Sequence, residues 1–268
     1  MNLKHVALLT CLALIVCTGS LRADNTAYAT TESGDFGTID LNTGAFTLLG
    51  NSGLTLSGLG VSGGNLYGVT YTSAAGTLFQ INPANGALTT IGSSGVDYYD
   101  FGSTLTGLYA LTEVSGNTDL YSINPTTGAA TLIGATGVAA VGISNLSSNS
   151  STLYFASGAS LYTINTTTGV GTLVGTMGDV EMGALVTETG TLYGGQDFPG
   201  PPFAVDTINT TTGAATTGPT VTGLPSGDYF FGLAPAATVP EPCTLLLLSC
   251  ALGGCGLLRR RNAAQVIR

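Results

Sequence analysis

Between residues 24 and 239 the chain carries 14 Asp and Glu residues and not one Lys, Arg, His or Cys. That set of side chains decides which chemistry is open. Nucleophilic catalysis of the Ser-His-Asp or Cys-His kind needs a nitrogen base and, in the second case, a thiol. Metal sites built on imidazole or thiolate are closed for the same reason. A surface without cations does not neutralise phosphates, so nucleic acid is not an expected partner. Carboxylate chemistry remains. Its candidates are Asp97, Asp100, Asp179, Glu181 and Asp228, each in a segment that leads into the first strand of a repeat unit. Gathered at one point, they would offer hard oxygen ligands to Ca2+. Two of them converging across a cleft would suit hydrolysis of a glycosidic bond. Spread apart, they are solvated loop residues. Tyr98 and Tyr99 stand beside them as rings able to stack on a sugar or to pack in a core, while Trp is absent. There is no Gly-rich cofactor loop between a strand and a helix and no P-loop, so no cofactor is expected beyond a possible Ca2+.

The elements that position these residues recur. One phrase is clearest at Leu120-Tyr121-Ser122-Ile123-Asn124-Pro125-Thr126-Thr127-Gly128-Ala129-Ala130-Thr131-Leu132-Ile133-Gly134. Shorter copies lead from Phe36 to Gly44, from Leu78 to Gly86, from Leu161 to Gly169 and from Val205 to Gly213. In every copy an Asn or Asp precedes a Gly by four residues, and the five glycines are spaced by 42, 42, 41 and 44 residues. A fixed period of this size marks a repeat architecture. Physically the phrase is a β-hairpin. Leu, Tyr and Ile favour the strand, Asn bonds its own backbone to start the turn, and Gly supplies the positive φ that ends it.

Each repeat reads as four strands, as in Leu54–Val61, Leu66–Thr72, Thr77–Asn82 and Ala87–Ile91. The second strand opens with Leu-Tyr at Leu66-Tyr67, Leu108-Tyr109, Leu153-Tyr154 and Leu192-Tyr193, and with Ala27-Tyr28 in the first repeat. Glycines five apart announce the first strand at Gly53/Gly58, Gly137/Gly142, Gly178/Gly183 and Gly227/Gly232. The third repeat has a two-residue insertion there, between Gly95 and Gly102. Apolar residues on both faces of a strand, as at Leu120, Tyr121 and Ile123, fit sheets sandwiched between sheets. Four short antiparallel strands per repeat suit a propeller blade. The repeats begin at a second strand and finish with an unpartnered first strand, Tyr229–Pro235. Pairing the two closes a five-bladed β-propeller. A parallel β-solenoid with two coils per repeat is the competing architecture.

The two ends are different in kind. Lys4 and His5 precede the apolar run Val6–Cys17, and residues 1–23 read as a secretory signal peptide, helical and removed after Ala23. At the other end, residues 239–268 follow the repeat domain of residues 24–238. Val239-Pro240-Glu241-Pro242 leads into Cys243–Leu258, which has no charge, and then Arg259-Arg260-Arg261. Sixteen helical residues span about 24 Å, short of a hydrocarbon core of about 30 Å, and snorkelling arginines cover the difference. A transmembrane helix here would leave its arginines cytoplasmic and the repeats outside. All five cysteines fall in the two ends, so no disulfide framework holds the repeats.

This tail resembles the PEP-CTERM sorting signal of Gram-negative bacteria, on Pro240, Glu241 and Pro242, the apolar segment, and Arg259, Arg260 and Arg261. The resemblance implies an exosortase-type sorting enzyme as a partner, membrane insertion before processing, and delivery to the cell surface or extracellular matrix. The repeats resemble secreted bacterial propellers built on a similar Leu-Tyr, Asn/Asp and Thr-Gly phrase, which implies fold rather than activity. The expectation is therefore an exported, non-enzymatic structural or binding propeller, with extracellular polysaccharide as a candidate partner. The alternatives are a carboxylate-dependent polysaccharide hydrolase or lyase, and a Ca2+-dependent adhesin.

Overall fold

Short β-hairpins dominate the computed structural model, which describes residues 25–71, 76–114, 116–141, 144–148, 150–198 and 202–236. Strands β1 (Thr26–Thr31), β2 (Asp35–Asp40) and β3 (Phe46–Asn51) form one sheet with the last strand, β20 (Phe230–Pro235). The next sheet is β4 (Leu56–Ser62), β5 (Asn65–Thr70), β6 (Thr77–Ile81) and β7 (Leu88–Ser93). The third is β8 (Asp100–Ser103), β9 (Leu108–Val114), β10 (Asn117–Ile123) and β11 (Ala130–Ala139). The fourth is β12 (Ser144–Ser148), β13 (Leu153–Ser157), β14 (Ser160–Ile164) and β15 (Gly171–Thr176). The fifth is β16 (Glu181–Glu188), β17 (Thr191–Phe198), β18 (Val205–Ile208) and β19 (Ala215–Thr216). Pairing within every sheet is antiparallel; a parallel contact between β12 and β16, at Ser147 with Leu185 and Ser148 with Val186, joins two of them edge to edge. This is a β-propeller and not a parallel solenoid. The expected signal helix and transmembrane helix, and the candidate sorting residues Pro240, Glu241, Pro242 and Arg259–Arg261, lie outside the described residues.

The hairpin phrase folds as its chemistry dictates. The Asn124 carboxamide oxygen accepts the Thr126 and Thr127 N–H groups at 2.8 and 3.2 Å, and Gly128 donates to the Asn124 carbonyl at 2.9 Å. Asp40, Asn82, Asn165 and Asn209 build the same turn, each with a carbonyl accepting from its glycine four residues on. Gly128 holds φ at +72°, a left-handed conformation that a side chain disfavours.

Packing explains why the sheets share one period. Five buried apolar clusters fill the five junctions between neighbouring sheets. Phe36 and Ala234 meet Leu56 and Ile81 at one junction; Val69 and Leu78 meet Phe101 and Leu108 at the next. Leu111 and Leu120 meet Leu146 and Phe155, Leu161 meets Met182 and Leu185, and Val186 meets Phe230 and Leu233. The innermost strands follow one another as β20, β4, β8, β12 and β16, with β16 against β20 again. They approach backbone to backbone. A Cβ on Gly102 would lie 2.5 Å from the Ser147 carbonyl oxygen, and one on Gly232 would lie 2.8 Å from the Leu59 nitrogen. The Ser148 hydroxyl donates to the Leu59 carbonyl from a strand that is not adjacent in the ring, so side chains fill the axis.

The outer rim is linked by the phrase itself. A glycine in the fourth strand of each of the first four sheets lies on the turn of the next sheet: Gly50 on Asn85, Gly92 on Thr127, Gly134 on Thr168 and Gly175 on Thr212. The closing junction uses other means. The segment after β19 runs along the first sheet, where Phe46 donates to the Thr222 carbonyl at 2.8 Å and Thr222 donates to that of Gly44 at 2.9 Å.

Candidate functional site

Antiparallel pairing sorts the connections between two faces. The Asn-to-Gly turns and the links from first to second strands lie on one face. The links from second to third strands, and those running from one sheet into the next, lie on the other. On that second face, here called the mouth, Glu32 lies between β1 and β2, Tyr71 follows β5, Glu113 ends β9, and Asp197 is near the end of β17. Asp97, Asp179, Glu181, Asp228 and Tyr229 arrive on the same face in the segments entering β8, β16 and β20. The Glu32 N–H donates to the Tyr229 carbonyl at 3.2 Å, which ties the two kinds of loop together.

The five candidate carboxylates do not gather at one point. Asp100 turns into the core and is fully buried; its Oδ1 accepts the Phe101 N–H at 2.7 Å, and its Oδ2 has no hydrogen-bond partner. Burial pushes its carboxyl well above the usual range, with the Phe101 and Leu146 N–H groups pulling weakly the other way. Asp228 is also withdrawn. It accepts the Ser33 hydroxyl at 2.6 Å, the Ser33 N–H at 3.3 Å and the Tyr229 N–H at 3.1 Å, so it pins the entrance of β20 to the β1–β2 turn. Asp97 is exposed and walls a cleft of 260 Å3 with Tyr98, Tyr99 and Glu113; Asp179 is exposed as well. Among the described residues no three His, Cys, Asp or Glu side chains stand where they would hold a metal ion. Asp97, Asp100, Asp179, Glu181 and Asp228, the candidate Ca2+ ligands, are not brought together as such a group. Asp100 occupies the inward position that Asn145 holds in the fourth sheet, and Ser33 engages Asp228.

Glu181 and Asp97 join a larger grouping. Asp197 lies one residue before the cross-strand partner of Glu181, against Gly183 of β16. Its carboxyl is raised to about 6, first by burial and then by the negative charges of Glu181 and Glu32. The Tyr229 phenol is hydrogen-bonded to Glu32, and burial followed by the charges of Glu32 and Asp197 makes it a weaker acid. Tyr71 is shifted the same way by burial and by Glu32, Glu113 and Asp97. Around these carboxylates Phe203, Tyr229, Phe231 and Tyr71 form a row of touching rings.

Glu32, Asp197, Glu113 and the rings other than Tyr98 and Tyr99 are not among the sequence-derived candidates, yet a signal for them exists. Four residues after the repeated Tyr of each second strand stand Glu32, Tyr71, Glu113, Gly158 and Asp197. That position is where second strands reach the mouth.

No family model and no curated protein matches the chain. Among solved structures, a protein of unknown function from Bacteroides thetaiotaomicron is 17% identical over 73% of this chain and 55% of its own, with a TM-score of 0.53. This chain therefore spans little more than half of that protein. A nidogen/laminin complex chain is 11% identical over 78% of this chain and 97% of its own, with a TM-score of 0.48. The calcium-binding protein regucalcin from Agrobacterium tumefaciens strain C58 is 20% identical over 74% and 71%, with a TM-score of 0.46. At such identities the likeness concerns the fold alone, which is that of a β-propeller.

Proposed function

We propose that this chain is an exported propeller with a structural or binding role at the cell surface or in the extracellular matrix, and not an enzyme. In this reading residues 1–23 direct export, and the tail from Pro240 to Arg261 is recognised by an exosortase-type enzyme after membrane insertion. The observation that carries the reading is a division between faces. Aromatic rings and carboxylates collect at the mouth, whereas both ends of the propeller leave from the turn face, where Ala236 donates to the Thr26 carbonyl at 3.1 Å. In this reading the mouth is the face that meets partners such as an extracellular polymer. Fractionation of producing cells tests the sorting step. The intact chain is expected at the surface or in the medium, and a variant with Arg259–Arg261 replaced by Ser is expected to lose that destination. An intact precursor found soluble in the cytosol defeats the reading.

One observation favours a second reading, a carboxylate-dependent polysaccharide hydrolase or lyase. Asp197, raised to about 6 beside Glu181 and Glu32, has the mixed protonation that a general acid and its partner need. Release of reducing ends from polysaccharides, abolished in Asp197→Asn and Glu181→Gln, would establish it. Lack of turnover together with mouth-dependent binding favours the first reading.

A further inference from the structure

The mouth contains a continuous aromatic surface with an acidic border. Ring centroids step 6.5 Å from Phe203 to Tyr229, 5.5 Å from Tyr229 to Phe231 and 5.0 Å from Phe231 to Tyr71. The residues come from three neighbouring sheets, and each ring is only partly buried. At the Phe203 end the row reaches a cleft of 190 Å3 walled by Pro202, Val221, Leu224 and Pro225. Glu32 acts on both Tyr229 and Tyr71, Asp197 acts on Tyr229 and has Glu181 beside it, and Asp97 and Glu113 act on Tyr71. Residues 24–239 contain no Lys, Arg or His, so no side chain of this stretch balances the charge of these carboxylates.

We propose that this row is the docking site for an extended basic polypeptide segment of a partner protein, whose Arg or Lys side chains lie on the rings and reach the carboxylates beside them. The proposal rests on the mouth being the binding face. Its chemistry is specific. A guanidinium or ammonium group is attracted to the face of Tyr or Phe and strengthened by a charge-assisted bond to a carboxylate. In an extended chain, alternate side chains point the same way about 6.6 Å apart, which matches the 6.5 Å step from Phe203 to Tyr229 and exceeds the 5.5 and 5.0 Å steps that follow. The cleft at the Phe203 end accommodates one apolar side chain of the same segment. A neutral polysaccharide would stack on the rings and donate hydroxyl hydrogen bonds to the carboxylates without balancing their charge, and an acidic one would be repelled.

The test uses the full chain in detergent micelles and isothermal titration calorimetry. The probe is an octapeptide alternating Arg and Ser and ending in Leu. The comparison ligands are the same peptide with Glu for Arg, a chitosan oligosaccharide and spermidine. The Arg peptide is expected to bind, and to weaken about tenfold or more between about 50 mM and about 500 mM salt. Glu32→Gln and Phe231→Ala should each weaken it about tenfold, while Leu173→Ser on the outer rim leaves it unchanged. Glu32 is exposed, so its variant stays informative if Phe231→Ala unfolds. Binding of the Glu peptide equal to that of the Arg peptide overturns the proposal. Tighter binding of chitosan or spermidine that still responds to Glu32→Gln overturns the polypeptide assignment and keeps the mouth as the binding face. Indifference of every ligand to both mouth variants overturns both.

Discussion

On the turn face, each of the five Asn or Asp turns folds back on itself and most bear against the sheet before them; on the mouth face, loops of unequal length bring together rings and like charges. The turn face is uniform because each turn has two tasks at once. Its carboxamide closes the hairpin, and its Thr-Gly end receives the glycine of the preceding sheet. A change in any copy would break a junction. The mouth has no such shared duty. Its loops keep only the anchoring needed to enter the next strand, as Asp228 does through Ser33, and the remaining positions are released for Glu32, Asp197, Tyr71 and Phe203. The comparison teaches that sequence regularity here records packing, and that irregularity records the surface left for partners.

The comparison is broken most directly at the rim. Gly175→Val drives a branched side chain into the Thr212 backbone and should cost about 3 kcal/mol or more, read as a large fall in the denaturation midpoint. The same class of change on the mouth face, Gly178→Ala, meets no atom within 4 Å and pays only for its φ of +90°, about 1 kcal/mol. Equal losses at the two sites would dissolve the distinction. Asn165→Ala removes acceptors for the Thr167 and Thr168 N–H groups and should cost about 1–2 kcal/mol by chemical denaturation.

Two carboxyls sharpen the comparison through pH. Asp197 holds its proton more tightly in the folded chain than in the unfolded one. Its contribution is therefore greatest below the unfolded value near pH 4 and is lost as pH rises through about 6. Asp197→Asn should raise stability at pH 7 by about 1 kcal/mol, allowing for solvent screening, and flatten the profile between pH 4 and 6. Glu32→Gln should shift the Asp197 titration, followed by NMR, downward toward the ordinary carboxylate value. Asp100 has the same sign on the core side. Its raised value means that stability is lost as pH climbs through it, so Asp100→Asn should change little at acidic pH and remove that loss. Register makes the substitution conservative. Asp100 opposes Leu111 in the third sheet, and Asn145 holds the corresponding place opposite Ala156 in the fourth.

Much of the fold was legible because its signals are local. The expected strands of the second repeat, Leu54–Val61 through Ala87–Ile91, lie within two residues of β4 to β7 at either end. The pairing of first and last strands followed from a missing first strand at the start and a spare one at the end, and Ala27 does pair with Pro235. The site was far less legible. Asp100 and Asp228 looked like their loop neighbours until the coordinates showed one buried and the other held by Ser33. Asp197 and Glu32 lie 165 residues apart in a chain that gives no hint of their meeting.

By itself the sequence determined the hairpin, the number of its copies, the antiparallel sheets and the absence of any cation between residues 24 and 239. These follow from residue type and spacing, because an Asn turn, a positive-φ Gly and a β-favouring run act over a few residues. Tertiary structure alone decided which carboxylates face outward, which rings touch, and that the ends leave from the face opposite the mouth. Those outcomes depend on bringing distant sheets side by side, where burial and like-charge crowding arise from neighbours that no local pattern specifies.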